Sequence, residues 1–139
     1  MYRKPGWATY TDPELSQVGL TEEQARAEHG DKLEVVRFPY HENDRAIAEG
    51  KTTGLIKVMV VKGRPVGASI VGALAGELIS MWAMAIANNM KMSAIAGTVL
   101  PYPTIAEINK RAAGAYFSPR LFESAMVKRV VGFVQKFIP

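Results

Sequence analysis

The sequence predicts an α+β domain, an antiparallel sheet covered by helices, on three observations. Residues 55–61 and 66–71 are runs rich in β-branched residues, separated by the hairpin signal Lys62-Gly63-Arg64-Pro65. Thr21-Glu22-Glu23-Gln24 has the pattern of a capping box that opens a helix. Residues 76–89 form a long apolar stretch with helical spacing. At 139 residues there is room for one domain, and hydrophobic residues make up 48% of the chain, enough for a real core.

Taken in order, residues 1–6 read as a linker or a start, and residues 7–11 as a first strand ended by the Asp12-Pro13 turn. The capping box begins a short helix that Gly30 closes. Residues 33–38 alternate with charged side chains and predict a half-exposed strand. Residues 43–50 fit neither element clearly, because Ile47 is their only bulky apolar residue. The strands of the hairpin belong at the centre of the sheet.

Leu78, Ile79, Trp82, Ala85, Ile86 and Asn89 mark one face of the long helix, but Met81, Met84 and Ala87 make the other side nearly as apolar. No charge falls between Glu77 and Lys91. A helix that is apolar almost all round is covered on more than one side. Its own sheet and C-terminal segment could supply both covers, or a second subunit could supply one. Thr104-x-x-Glu107 after a proline reads as another helix start, with Thr104 capping the Glu107 N–H and the Glu107 carboxylate reaching back. Beyond a core of residues 7–117, Ser118-Pro119 reads as N-cap and first residue of an amphipathic extension over residues 118–139. There Phe122, Met126, Val130, Phe133, Val134 and Phe137 form an apolar stripe beside Arg120, Lys128, Arg129 and Lys136. Such a stripe packs on the domain or across a dimer, or else contacts an anionic membrane or a partner's groove.

Composition narrows the chemistry. With no Cys, the chain can form neither a redox disulfide nor a thiolate metal site, and it is compatible with a reducing cytoplasm, where it is expected. No Gly-x-Gly-x-x-Gly occurs, so a dinucleotide fingerprint is missing. The net charge of +4 comes from scattered residues without the aromatic-basic interleaving of nucleic-acid binders, and no nucleic-acid partner is expected. Met81, Met84, Met90 and Met92 could suit Cu(I) but read as core filling. His29 and His41 have no ligand spacing, and no metal site is expected.

Three motifs, in order along the chain, resemble the C-terminal dimerisation domain of the pyridine-nucleotide disulfide oxidoreductases. Thr11-Asp12-Pro13-Glu14 with Val18-Gly19 and Thr21-Glu22 resembles its opening. Gly67-Ala68-Ser69-Ile70-Val71-Gly72 with Ala75-Gly76-Glu77 resembles its strand-to-helix junction. Pro101-Tyr102-Pro103-Thr104-Ile105-Ala106-Glu107 resembles its His-Pro-Thr-x-x-Glu signature, with Tyr102 in place of the His, as in the family's mercuric reductases.

The resemblance implies a homodimer in which one subunit's Tyr102–Glu107 segment completes the other's redox site. Tyr102 and Glu107 are then the candidate catalytic residues in a complete enzyme, and Leu100, Pro101 and Tyr102 the candidate contacts to the partner's flavin. It also favours the second-subunit reading of the long helix, with Leu78, Met81, Trp82, Met84 and Ala85 as interface. Tyr102 is a poor base near neutrality, so it reads as a hydrogen-bond donor or metal-facing oxygen, or as a ring packed in the interface. FAD and NAD(P) are implied for a full-length parent, whose domains for them are missing partners here. The chain alone is expected to bind neither and to be inactive. The alternative is a free-standing homodimeric, partner-binding or membrane-binding module without flavin.

Overall fold

The structure, a computed structural model, describes residues 6–123, with side chains through Ser118. Five strands form one antiparallel sheet in the order β1-β2-β5-β4-β3. They are β1 (Trp7–Thr9), β2 (Leu15–Gly19), β3 (Leu33–Pro39), β4 (Leu55–Val61) and β5 (Arg64–Val71). The helices are α1 (Glu22–His29), α2 (Asp44–Ala48), α3 (Ala75–Ala87), α4 (Met92–Ala96) and α5 (Glu107–Glu123). The predicted hairpin is β4–β5, and β5 is the central strand.

Alternation along β4 explains the layering. Ile56, Val58 and Val60 face the main core, which α3, α4 and α5 cover. Met59 and Val61 face the other way, into a smaller cluster with Leu33 and Ala25 of α1. Because both faces are covered there, residues 58–61 read as a continuous apolar run. A bulge after Met59 lets Pro65, which has no N–H, sit inside β5. The helix α1 has the predicted capping box, with Thr21 Oγ1 accepting from the Gln24 N–H at 3.2 Å and Gln24 Oε1 accepting from the Thr21 N–H at 3.1 Å.

Four elements differ from expectation. β2 is a strand that polar Ser16 and Gln17 disguise; both are buried, and Ser16 donates to the Ala75 carbonyl at 2.8 Å. Residues 43–50 contain α2, capped by Asn43 Oδ1, which accepts from the Ala46 N–H at 2.9 Å. The short α4 went unpredicted. Finally, α5 crosses Ser118-Pro119 without a break, so Ser118 is not an N-cap; its hydroxyl instead turns back to the Gly114 carbonyl. The helix is already established through the alanines before it, and its continuation outweighs the one bond Pro119 cannot make. The apolar stripe beyond Glu123 lies outside the described residues.

Candidate functional site

Helix α3 divides the predicted interface residues. Trp82 is 0% exposed, and Leu78 and Ala85 are buried with it in the chain's own core. Within the single chain these three belong to the core: with Ile79 they form the arc that α3 lays on β2 and β5. Met81 is half-buried at the margin, and Met84 is 66% exposed. At the start of α3, Leu74 holds φ 60°, a left-handed conformation unusual for a bulky residue, and its side chain is exposed.

The segment leading into α5 is fixed from two sides. Asn109 of α5 accepts from Trp82 Nε1 at 2.7 Å and donates to the Leu78 carbonyl at 3.0 Å, which anchors the helix to α3. On the other side Asn43 Nδ2 donates to the Thr104 carbonyl at 3.2 Å, and the Tyr102 phenol donates to Asp44 Oδ2 at 2.6 Å. Between these anchors the chain is apolar and outward-facing: Val99 is 91% and Tyr102 66% exposed, Pro101 and Pro103 are exposed, and Leu100 is half-buried. A groove of about 490 Å³ joins the two regions, with Leu74, Glu77 and Met81 on one wall and Pro103 and Thr104 on the other.

The expected Thr104–Glu107 capping box does not form. Thr104 Oγ1 donates to the Pro101 carbonyl at 2.8 Å, a local turn bond that takes the hydroxyl away from the helix. Glu107 stands in the first turn of α5, where its charge favours the helix dipole. Two carboxylates influence Tyr102: the hydrogen bond it donates to Asp44 raises its pKa above the ordinary tyrosine value, and the charges of Asp44 and Glu107 add to the effect. Asp44 was not singled out from the sequence; Asn43-Asp44 before a short helix was its only local signal.

The strand-to-helix junction between β5 and α3 is where a nucleotide phosphate would sit in other folds. Here the chain's own groups close it. Glu14 Oε2 accepts from the Gly76 N–H at 3.0 Å, supplying the negative charge that the start of α3 attracts. Gly72, at φ 148°, lies against the Tyr40 ring, which a Cβ would strike. Tyr40 donates to the Ala73 carbonyl at 2.8 Å, and burial raises its pKa, with the Glu14 charge adding to the shift. The junction does not fit a flavin or nicotinamide nucleotide. Among the described residues no group of three His, Asp or Glu could hold a metal ion, and no helix is long and apolar enough to cross a membrane.

The family profile described as "Pyridine nucleotide-disulphide oxidoreductase, dimerisation domain" matches residues 6–113. Dihydrolipoyl dehydrogenase of Bacillus subtilis is 39% identical over 106 residues, covering 75% of this chain and 22% of that protein. The Halobacterium salinarum dihydrolipoyl dehydrogenase is 36% identical over 108 residues, 76% of this chain and 23% of that one. The structure of the HOCl-induced flavoprotein disulfide reductase RclA from Escherichia coli superposes with a TM-score of 0.76 at 28% identity, over 81% of this chain and 26% of that chain. LpdA from Mycobacterium tuberculosis gives 0.74 at 25% identity, over 81% and 25%. The chain thus spans about a fifth to a quarter of the length of these relatives.

Proposed function

The chain belongs to the pyridine nucleotide-disulphide oxidoreductase dimerisation-domain family, and we propose that it pairs with a second copy so that residues 99–107 of each subunit complete the other's redox centre. The observation that supports this best is the continuity between the exposed rim of α3 and the Tyr102 segment. Met81 and Pro103 line one groove, and Met84 stands fully outside it, one turn along from Met81. Apolar groups held out on a rigid frame suit an isologous contact, in which each patch meets its own copy.

In this reading FAD and NAD(P) are held by domains outside this chain, where the flavin passes electrons from the nicotinamide to a disulfide or a metal ion. This chain's residues position and exclude. Leu100 and Pro101 shield the partner's flavin edge from water, and Tyr102 presents its phenol toward the reacting atoms. Glu107 supports the start of α5 rather than exchanging protons. Leu78, Trp82 and Ala85 contribute from beneath, by holding α3 rigid.

Sedimentation equilibrium of the chain tests the pairing. A two-fold dimer is expected, and a protein that stays monomeric at millimolar concentration would overturn the reading.

A further inference from the structure

We propose that Asp44 is the positioning carboxylate of Tyr102: it takes the phenol's one proton into a hydrogen bond, so that the oxygen offers only lone pairs outward and accepts a bond from a protonated donor of the thiol class. The proposal rests on the reading above, in which the Tyr102 segment faces a redox centre; reduction of a disulfide there yields thiols, which carry protons to donate. It changes the role expected for Tyr102 from donor to acceptor.

Geometry carries the assignment. The Tyr102–Asp44 separation of 2.6 Å is that of a hydroxyl bonded to an ionised carboxylate. A phenol has a single proton, and an ionised carboxylate has none to return. The two groups lie 58 residues apart in sequence, so the tertiary fold sets their meeting. Adjacent Asn43, buried and itself the cap of α2, holds the Thr104 carbonyl two residues beyond Tyr102. The start of α2 therefore clamps both ends of the Tyr102–Thr104 turn and fixes the phenol direction. Asp44 is free for this work because neighbouring Arg45 is turned to Glu49, at 2.7 Å. Glu107 is the other acidic group acting on the phenol, and it reinforces the protonated form. The carboxylate that governs this position thus comes from α2 and not from the signature motif itself.

The test is a pH titration of the chain carrying ¹³Cζ-labelled tyrosine, with Tyr102→Phe identifying the resonance. Tyr102 is expected to ionise above ordinary tyrosine in the wild type. Asp44→Asn keeps an acceptor oxygen but removes the charge, and it should bring the ionisation down; Asp44→Glu should restore it in part. Asp44 is exposed, so both variants should fold. An identical Tyr102 titration in wild type and Asp44→Asn would overturn the assignment. Running the same titration on Met84→Glu, in which pairing is expected to be lost, separates the two readings: a Tyr102 ionisation still raised there shows that the Asp44 pairing stands without a dimer, whereas the partner-facing role falls if the wild type itself stays monomeric.

Discussion

Trp82 Nε1 donates to Asn109 Oδ1 at 2.7 Å, and the same amide donates through Nδ2 to the Leu78 carbonyl at 3.0 Å. One buried side chain thereby joins α5 to α3 across a full turn and sets where the Tyr102 segment leaves the core.

Asn109→Ala should lower stability by about 3 kcal/mol, since it strands a buried indole N–H and a buried carbonyl together. Urea denaturation with Trp82 fluorescence would report it. A loss under about 1 kcal/mol would mean that water replaces the amide, and that the α3–α5 junction is looser than the hydrogen bonds imply.

Glycines in the sheet and in α5 should respond in opposite directions. A Cβ on Gly67 would overlap the Leu20 backbone carbonyl where β5 passes the end of β2, so backbone and not a pliable side chain would have to move. Gly67→Ala is expected to cost on the order of 3–4 kcal/mol or to prevent folding. Gly114, within α5, has open space around its missing Cβ, and Gly114→Ala should add about 0.5–1 kcal/mol through helix propensity. Thermal melts of the two variants check the contrast; equal effects would contradict it.

Stability should fall at both pH extremes, for different groups. Lys57, then Arg26 and Arg37, hold Glu22 down to about 2, below the ordinary 4.5. Its folded pKa is depressed, so its contribution is complete above the ordinary value and disappears as pH falls toward 2; exposure limits it to about 1 kcal/mol. Tyr40 has the opposite sign. Its raised pKa favours folding below pH 10 and loses that contribution as pH rises beyond, when the unfolded phenol ionises first. Denaturation midpoints across pH, with Glu22→Gln and Tyr40→Phe, should show the acid loss removed by the first and the alkaline loss reduced by the second.

Much of the fold was legible because local chemistry and tertiary structure agree. The Thr21 capping box, the β4–β5 hairpin and the span of α3 each follow from spacing that burial later confirms. β2 was hidden because Ser16 and Gln17 are buried polar residues whose partners, the Ala75 carbonyl and the Ser69 hydroxyl among them, come from the folded chain. The candidate site was legible only in outline. Periodicity showed that α3 is apolar all round, but which side faces inward is set by its packing on β2 and β5 and by the Trp82 bond to Asn109, 27 positions away. Thr104-x-x-Glu107 satisfied the capping pattern, yet the Pro101 carbonyl competes for the same hydroxyl. Asp44 carried no visible link to Tyr102, since only the tertiary path of the chain brings them together.

The split within α3 yields the last prediction. Met84 is exposed on a helix that lacks charge after Glu77, whereas Leu78 lies in the core, so the two positions separate pairing from folding. Met84→Glu should leave the single chain folded, because Glu is a good helix former and the site faces outward. In a dimer closed over this rim, however, the added carboxylate would be desolvated without a partner, and pairing should weaken by more than about a hundredfold, or roughly 2.7 kcal/mol. Leu78→Ala should do the reverse: about 2–5 kcal/mol of fold stability lost to a cavity, with the dimer constant of the remaining folded protein little changed. Sedimentation velocity across a dilution series gives the pairing, and urea denaturation of each variant gives the folding. If Met84→Glu dimerises like the wild type, the contact between subunits lies elsewhere, and the outer rim of α3 is simply solvent-facing surface.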